Sequence, residues 1–238
     1  AVTGVGLSEL DTAVTEAISP CVMNTGQHPV CLPIDRVFSR DGFGTIITGS
    51  LLRGTVRLGD ALEVMPGKHP VRIRGLHVHG EKHEVVSERT RLAVNLQQTP
   101  SAIAPGSWLV TPETLHVGRV LDVSLHWLAH QTTALKRRRG LSFHLGVSRG
   151  LADVQADGVV EPGQWGTARI RLDRDIPLPV DGKFVLRGAR IPGFGTVVAG
   201  GHILDPQPPR KRPASRRAAL SKADSIPLEI LVDESGRR

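Results

Sequence analysis

Gly42-Phe43-Gly44-Thr45-Ile46-Ile47-Thr48-Gly49 returns late in the chain, nearly word for word, as Gly193-Phe194-Gly195-Thr196-Val197-Val198-Ala199-Gly200. A glycine-rich turn feeding a β-branched run is a hairpin signal. Two copies so far apart predict two related β-domains in tandem. Neither Gly-x-Gly pair has the third glycine or the following helical pattern of a phosphate-cradling loop, so both are read as turns.

Composition supports an all-β chain. At 238 residues there is room for two small domains, each with a modest core. Gly (26) and Pro (17) are plentiful and aromatics are only 3%, so the cores must come from Val, Ile, Leu and Ala on short strands joined by tight turns. A formal net charge of +7 fits a phosphate-rich partner such as nucleic acid. Cys21 and Cys31 are too few for a disulfide framework and read as reduced thiols. No apolar run approaches the ~20 residues of a membrane span, and no basic segment precedes an apolar core at the start. The expectation is a soluble, cytoplasmic protein without membrane contact.

One helix is expected near the start. Leu10, Ala13, Val14, Ala17 and Ile18 share one helical face, with Ser8 and Asp11 placed like a capping box and Pro20 and Gly26 as the stop. Strands then follow at Val37-Phe38, 45–48, 55–58, 61–65, 71–79 and 91–96, enough for one closed unit. Proline-rich 99–105 and Thr111-Pro112 read as a rim and a boundary. A second series runs through 117–125, 141–145, 168–172, 183–186 and 196–199, with turns at Glu161-Pro162-Gly163 and Val180-Asp181-Gly182. Beyond Asp205-Pro206 the composition turns to proline and arginine, which marks a linker holding Arg210-Lys211-Arg212 and Arg216-Arg217.

Several chemistries fail on spacing. Gly67-Lys68-His69 and Gly182-Lys183-Phe184 both lack the first glycine and the final Ser/Thr of a P-loop. His77, His79 and His83 suggest a metal site, but no Cys or carboxylate supports it, and solvent-facing strand histidines are the favoured reading. No serine lies in a nucleophile elbow, so no catalytic residues are assigned. Lys136, Arg137, Arg138 and Arg139, ending at Gly140, read as an exposed hairpin tip. On charge alone it serves equally as a phosphate contact or as a solvated loop guarding an edge.

An ordered set of segments then names a family. Pro33-Ile34-Asp35-Arg36-Val37-Phe38-Ser39, the first Gly-Phe-Gly-Thr copy, Gly54-Thr55-Val56-Arg57-Leu58-Gly59-Asp60, 71–80 and 91–96 resemble, in order, the second domain of translational GTPases related to elongation factor Tu. Phe143-His144-Leu145-Gly146, Pro162-Gly163-Gln164, Lys183-Phe184-Val185-Leu186-Arg187 and 201–206 are similar to the third domain of the selenocysteine-specific branch. Residues 3–10 resemble the end of a G domain. The resemblance implies two tandem six- or seven-stranded β-barrels of the elongation-factor type. Residues 1–19 would be the end of the G domain, 20–28 a linker, 29–115 barrel domain II, 116–206 barrel domain III, and 207–238 a basic linker leading to winged helices.

The same resemblance implies chemistry. The segment would be the tRNA-facing body of a factor that carries selenocysteinyl-tRNA to the ribosome, with the mRNA hairpin for selenocysteine insertion bound by domains downstream. GTP and Mg2+ would belong to the G domain upstream, leaving this segment with no cofactor and no enzymatic activity of its own. Asp35, Arg36 and Arg91 fall at the positions of the aminoacyl pocket. A selenol is more acidic than a thiol or hydroxyl, so at neutral pH it is an anion that guanidinium groups stabilise, whereas serine on the same tRNA stays neutral. Adjacent strand residues face opposite sides, so Asp35 and Arg36 can share a pocket only at a bend, a strand end or a rim. Lys136, Arg137, Arg138 and Arg139 are weaker candidates for tRNA backbone contact. The alternatives are the barrels of another translational GTPase or of the GTPase subunit of sulfate adenylyltransferase.

Overall fold

A computed structural model describes residues 4–18, 28–40, 44–97, 103–191, 193, 195–211, 216 and 220. Helix α1 (Leu7–Ile18) comes first. Leu7, Leu10 and Val14 on its apolar face are exposed. The amide of Leu10 donates to Gly6 O at 3.0 Å, so Gly6 caps the helix. Ser8 is already inside the first turn, where its carbonyl accepts from Thr12 Oγ1 at 2.9 Å, and the expected Ser8–Asp11 capping box does not form. The expected stop at Pro20 and Gly26 lies outside the described residues.

Nine strands build the first domain: β1 (Cys31–Arg40), β2 (Gly44–Leu51), β3 (Thr55–Arg57), β4 (Ala61–Met65), β5 (His69–Val78), β6 (Glu81–His83), β7 (Val85–Ser87), β8 (Thr90–Leu96) and β9 (Trp108–Val110). The antiparallel order β4-β9-β1-β2-β8-β5 closes through β4–β5 into a six-stranded barrel; β6 extends it from β5, and β3 pairs with β7 as a separate ribbon. Along β2 the period of two is plain, with Thr45, Ile47 and Leu51 buried and Ile46, Thr48 and Ser50 facing out. The core gathers Leu32, Ile34, Ile47, Val56, Val64, Leu76, Val94 and Leu109.

The second domain is a closed six-stranded barrel of order β10-β13-β12-β11-β14-β15. Its strands are β10 (His116–Trp127), β11 (Leu135–Leu145), β12 (Ser148–Val160), β13 (Trp165–Leu178), β14 (Lys183–Ile191) and β15 (Gly195–Asp205). Both copies of the repeated element are the second arm of a hairpin, closed at Arg40↔Gly44 in one barrel and Ile191↔Gly195 in the other. Gly44 and Gly195 have φ of 74° and 80°, a left-handed conformation that disfavours a side chain. The duplication therefore marks one hairpin in each barrel, the β1–β2 hairpin in the first and the β14–β15 hairpin in the second.

The structure corrects one expectation and adds two features that the sequence does not announce. Lys136, Arg137, Arg138 and Arg139 are not a hairpin tip: they run inside β11, where Arg137 and Arg138 pair with Gln155 and Val154 of β12. Gly140, with φ of 70°, falls at a register shift between Arg138 and Leu141, so the glycine marks a bulge and not a turn. β12 itself is a 13-residue strand that the sequence pattern does not announce. The basic linker is also anchored at one point, because Arg216 is buried to 1% exposure against barrel 2. Its guanidinium bonds Asp205 and, at 3.3 Å, Asp122, while Arg169 grips Asp122 at 2.8 and 2.9 Å and reaches Pro209 O at 2.8 Å. A buried charge is tolerated only when paired in this way.

The barrels meet at Trp108, whose buried ring joins the core of barrel 2. Its Nε1 donates to Ser148 Oγ at 3.1 Å, and Ser148 Oγ donates to Gly106 O at 3.0 Å. Burying one tryptophan contributes roughly 4–6 kcal/mol of transfer free energy, which fixes this seam. Arg53 adds an exposed ion pair to Asp181 at 3.4 Å across the same junction.

Candidate functional site on barrel 1

A β-bulge decides what β1 presents outward. Register against β2 shifts between Ile34↔Gly49 and Arg36↔Thr48, so Asp35 is the extra residue. Ile34 is buried and Val37 packs on the core, leaving Asp35 and Arg36 together on the outer face between them. The bulge thus supplies the bend that adjacent strand residues need to share one site.

Asp35 is held from two strands. Thr48 Oγ1 of β2 donates to Oδ1 at 2.7 Å, and Arg91 of β8 grips both oxygens, Nη1 to Oδ2 at 2.5 Å and Nη2 to Oδ1 at 3.1 Å. The bond from Arg91 holds the Asp35 carboxyl below its ordinary range against the opposing effect of burial, with help from Thr48 and from the charges of Arg91 and Arg36. Arg91 is correspondingly held upward by Asp35. Asp35 is therefore engaged with Arg91, while Arg36 is exposed on the same face and Lys82 lines the cleft from β6.

Beyond this cluster the outer face forms a cleft of about 530 Å³. Its floor follows two ladder rows. One runs Thr48, Ala93, His77, Lys82 across β2, β8, β5 and β6, with Arg36 of β1 next in register to Thr48 outside the lining; the other runs Phe38, Ile46, Asn95. The cleft has a cationic mouth, an apolar floor of Ile46 and Ala93, and a polar far end. Asn95 is 6% exposed, and its Oδ1 has no hydrogen-bond partner among the described residues. An unpaired buried amide costs about 1–3 kcal/mol, a cost that a bound hydrogen-bonding group would remove.

Of the residues singled out in the sequence, Asp35 and Arg91 are bonded to each other and Arg36 is exposed beside them. Sequence reading missed Thr48, Phe38 and Asn95. The period of two would have put Thr48 and Ile46 outward, whereas Asn95 has no local signal. His77 and His79 line the cleft and His83 lies on β6, outside it. Among the described residues no three His, Cys, Asp or Glu side chains gather to hold a metal. Lys136, Arg137, Arg138 and Arg139 belong to β11 of barrel 2, and Lys136, Arg137 and Arg138 do not enter the cleft. Lys136 is exposed, Arg137 pairs with Asp153 at 2.9 Å, and Arg138 bonds Thr133 Oγ1.

No family model matches the chain. A selenocysteine-specific elongation factor from Desulfomicrobium baculatum is 34% identical over 209 residues, covering 86% of this chain and 32% of the relative. The Escherichia coli protein of that name is 27% identical over 220 residues, covering 87% and 33%. Elongation factor Tu 2 of Streptomyces avermitilis is 28% identical over 177 residues, covering 71% and 45%. The chain spans about a third of the length of its selenocysteine-specific relatives. Two solved structures share the fold. Apo SelB from Methanococcus maripaludis has a TM-score of 0.72 at 17% identity, covering 87% of this chain and 49% of that one. A bacterial selenocysteine-specific elongation factor, EF-Sec, scores 0.68 at 21% identity, covering 87% and 33%. No helix among the described residues is long and apolar enough to cross a membrane. Through both barrels, this chain is a homologue of the selenocysteine-specific elongation factors.

Proposed function

We propose that this segment is the tRNA-binding body of a cytoplasmic selenocysteine-specific elongation factor, and that the cleft on barrel 1 receives the aminoacyl end of selenocysteinyl-tRNA. The observation that carries the reading is Arg91, lining the cleft and bonded to Asp35, with Arg36 exposed beside the pair. Asp35 orients Arg91 through a two-pronged bond and compensates one positive charge, so the mouth keeps a net positive character supplied by Arg36. A selenolate meets these guanidinium groups as an anion, and a serine hydroxyl as a neutral group. The apolar floor and the Asn95 amide accommodate the terminal nucleoside behind it. The names of the relatives favour this reading over the sulfate adenylyltransferase subunit.

In this account GTP hydrolysis, with its Mg2+, belongs to a domain outside this segment, as does recognition of the mRNA hairpin, and delivery to the ribosome is the work of the whole factor. Lys136 adds non-specific attraction to tRNA phosphates. Arg137 and Arg138 add less, being engaged within barrel 2. A filter-retention assay tests the reading, with a full-length factor carrying this segment offered selenocysteinyl-tRNA or the same tRNA uncharged. Retention that depends on the aminoacyl group is expected; equal retention of the two would remove the cleft from the account.

A further inference from the structure

Barrel 2 carries an aromatic surface that the aminoacyl cleft does not use. Of three tryptophans, Trp108 and Trp127 are each 1% exposed, whereas Trp165 is 60% exposed at the start of β13. The ladder sets His126 of β10 directly beside it, and their rings stack at 5.3 Å and 19°. His126 is held in turn by its Nε2 contact with Gly163 O at 3.0 Å. On β15, His202 tilts toward Trp165 at 6.5 Å and 50°. These rings form a fixed platform and not a loose side chain.

A cleft of about 380 Å³ opens over this platform, lined by Trp165, His202, Lys183 and Asp181. Lys183 pairs in register with His202 and is exposed, which places an ammonium beside the rings. Asp181 is already matched by Arg53, so the local balance stays positive. An exposed aromatic face bordered by cations is the arrangement on which unpaired nucleobases stack while a neighbouring cation meets the phosphate. A paired base inside a duplex presents no free face to it.

We propose that Trp165, with His126 and His202, is a stacking platform for an unpaired base of single-stranded RNA, with Lys183 taking the adjoining phosphate. This goes beyond the aminoacyl reading and does not depend on it, since no residue is shared with the cleft on barrel 1. The test titrates the 238-residue chain into a fluorescein-labelled RNA dodecamer of mixed sequence, single-stranded or as the duplex, and reads anisotropy alongside tryptophan emission.

The single strand is expected to bind more tightly than the duplex and to quench emission, since Trp165 is the exposed indole. Trp165→Leu is expected to weaken binding by about 5- to 150-fold, the usual range for one lost base–aromatic stack. Trp165→Phe should retain most of it, and Lys183→Ala should reduce the salt slope by about 0.7. Thermal melts check that the variants stay folded, as the exposure of Trp165 predicts. Arg91→Ala should leave this binding unchanged, which separates its failure from failure of the aminoacyl cleft. Duplex binding equal to single-strand binding, absent quenching, or unaltered affinity in Trp165→Leu would each overturn the proposal.

Discussion

Arg216→Met is the most informative change to the scaffold. The native guanidinium is 1% exposed and joins Asp205 and Asp122, the second at 3.3 Å. Removing one partner of a buried ion pair costs about 3–5 kcal/mol, because the charge left behind is uncompensated. Asp122 keeps Arg169 at 2.8 and 2.9 Å and Asp205 keeps the Gln207 amide at 2.7 Å, so the loss falls near the lower end, about 3 kcal/mol. At about 2–4 °C per kcal/mol for a chain of this length, the midpoint should fall by about 6–12 °C. Far-UV circular dichroism on heating measures it. Arg210→Met is the control, since it removes the same charge from an exposed side chain and should cost no more than about 0.5 kcal/mol. Trypsin sensitivity near Lys211 should rise in Arg216→Met as the segment loses its anchor. A fall of less than about 2 °C, or equal falls in the two variants, would refute the claim that the buried network holds this segment on the barrel.

Three further outcomes follow from the geometry. Asp35 has a depressed native pKa, so the stability it contributes is full above its ordinary 3.8 and is lost as pH falls through the native value. The melting difference between the wild type and Asp35→Asn should therefore shrink on acidification, and a constant difference would contradict the ion pair. Burial pushes the Cys31 thiol from 9.0 up to about 11 despite the nearby charge of Arg53. Alkylation of Cys31 at pH 8, followed by peptide mass mapping, should be on the order of a hundredfold slower than in the urea-unfolded chain; equal rates would count against it. Trp108→Ala should cost about 3–5 kcal/mol and split the melting of the barrels into separate transitions. A single unshifted transition would show that the seam does not depend on Trp108.

The tandem-barrel plan was legible because its strongest words are local. A glycine needing positive φ at residue 44 or 195 and a β-branched run behind it announce a hairpin without any distant contact. β12 was not legible. Its inward positions include Ser148, Gly150 and Ala152, too small and mixed to show a period of two. The charge of the Lys136–Arg139 run suggests a turn, but the run lies in a strand whose register shifts at Gly140. Arg216 carried no sign of burial, because its partners Asp122 and Asp205 come from β10 and β15. At the candidate site, ordered family resemblance points to Asp35, Arg36 and Arg91, of which Arg91 lines the cleft. Their convergence rests on a bulge, and Asn95 on a cross-strand register, neither of which a single segment encodes.

In the proposed function, guanidinium groups at the cleft mouth give selectivity for the ionised selenol. The most direct test of that selectivity measures dissociation constants for selenocysteinyl-tRNA and for seryl-tRNA on the same tRNA body, in a full-length factor carrying this segment, with and without Arg36→Ala. Loss of one charge-assisted contact predicts about 10- to 150-fold weaker binding of the selenocysteinyl form, with the seryl form nearly unchanged. Equal losses for both tRNAs would contradict the account.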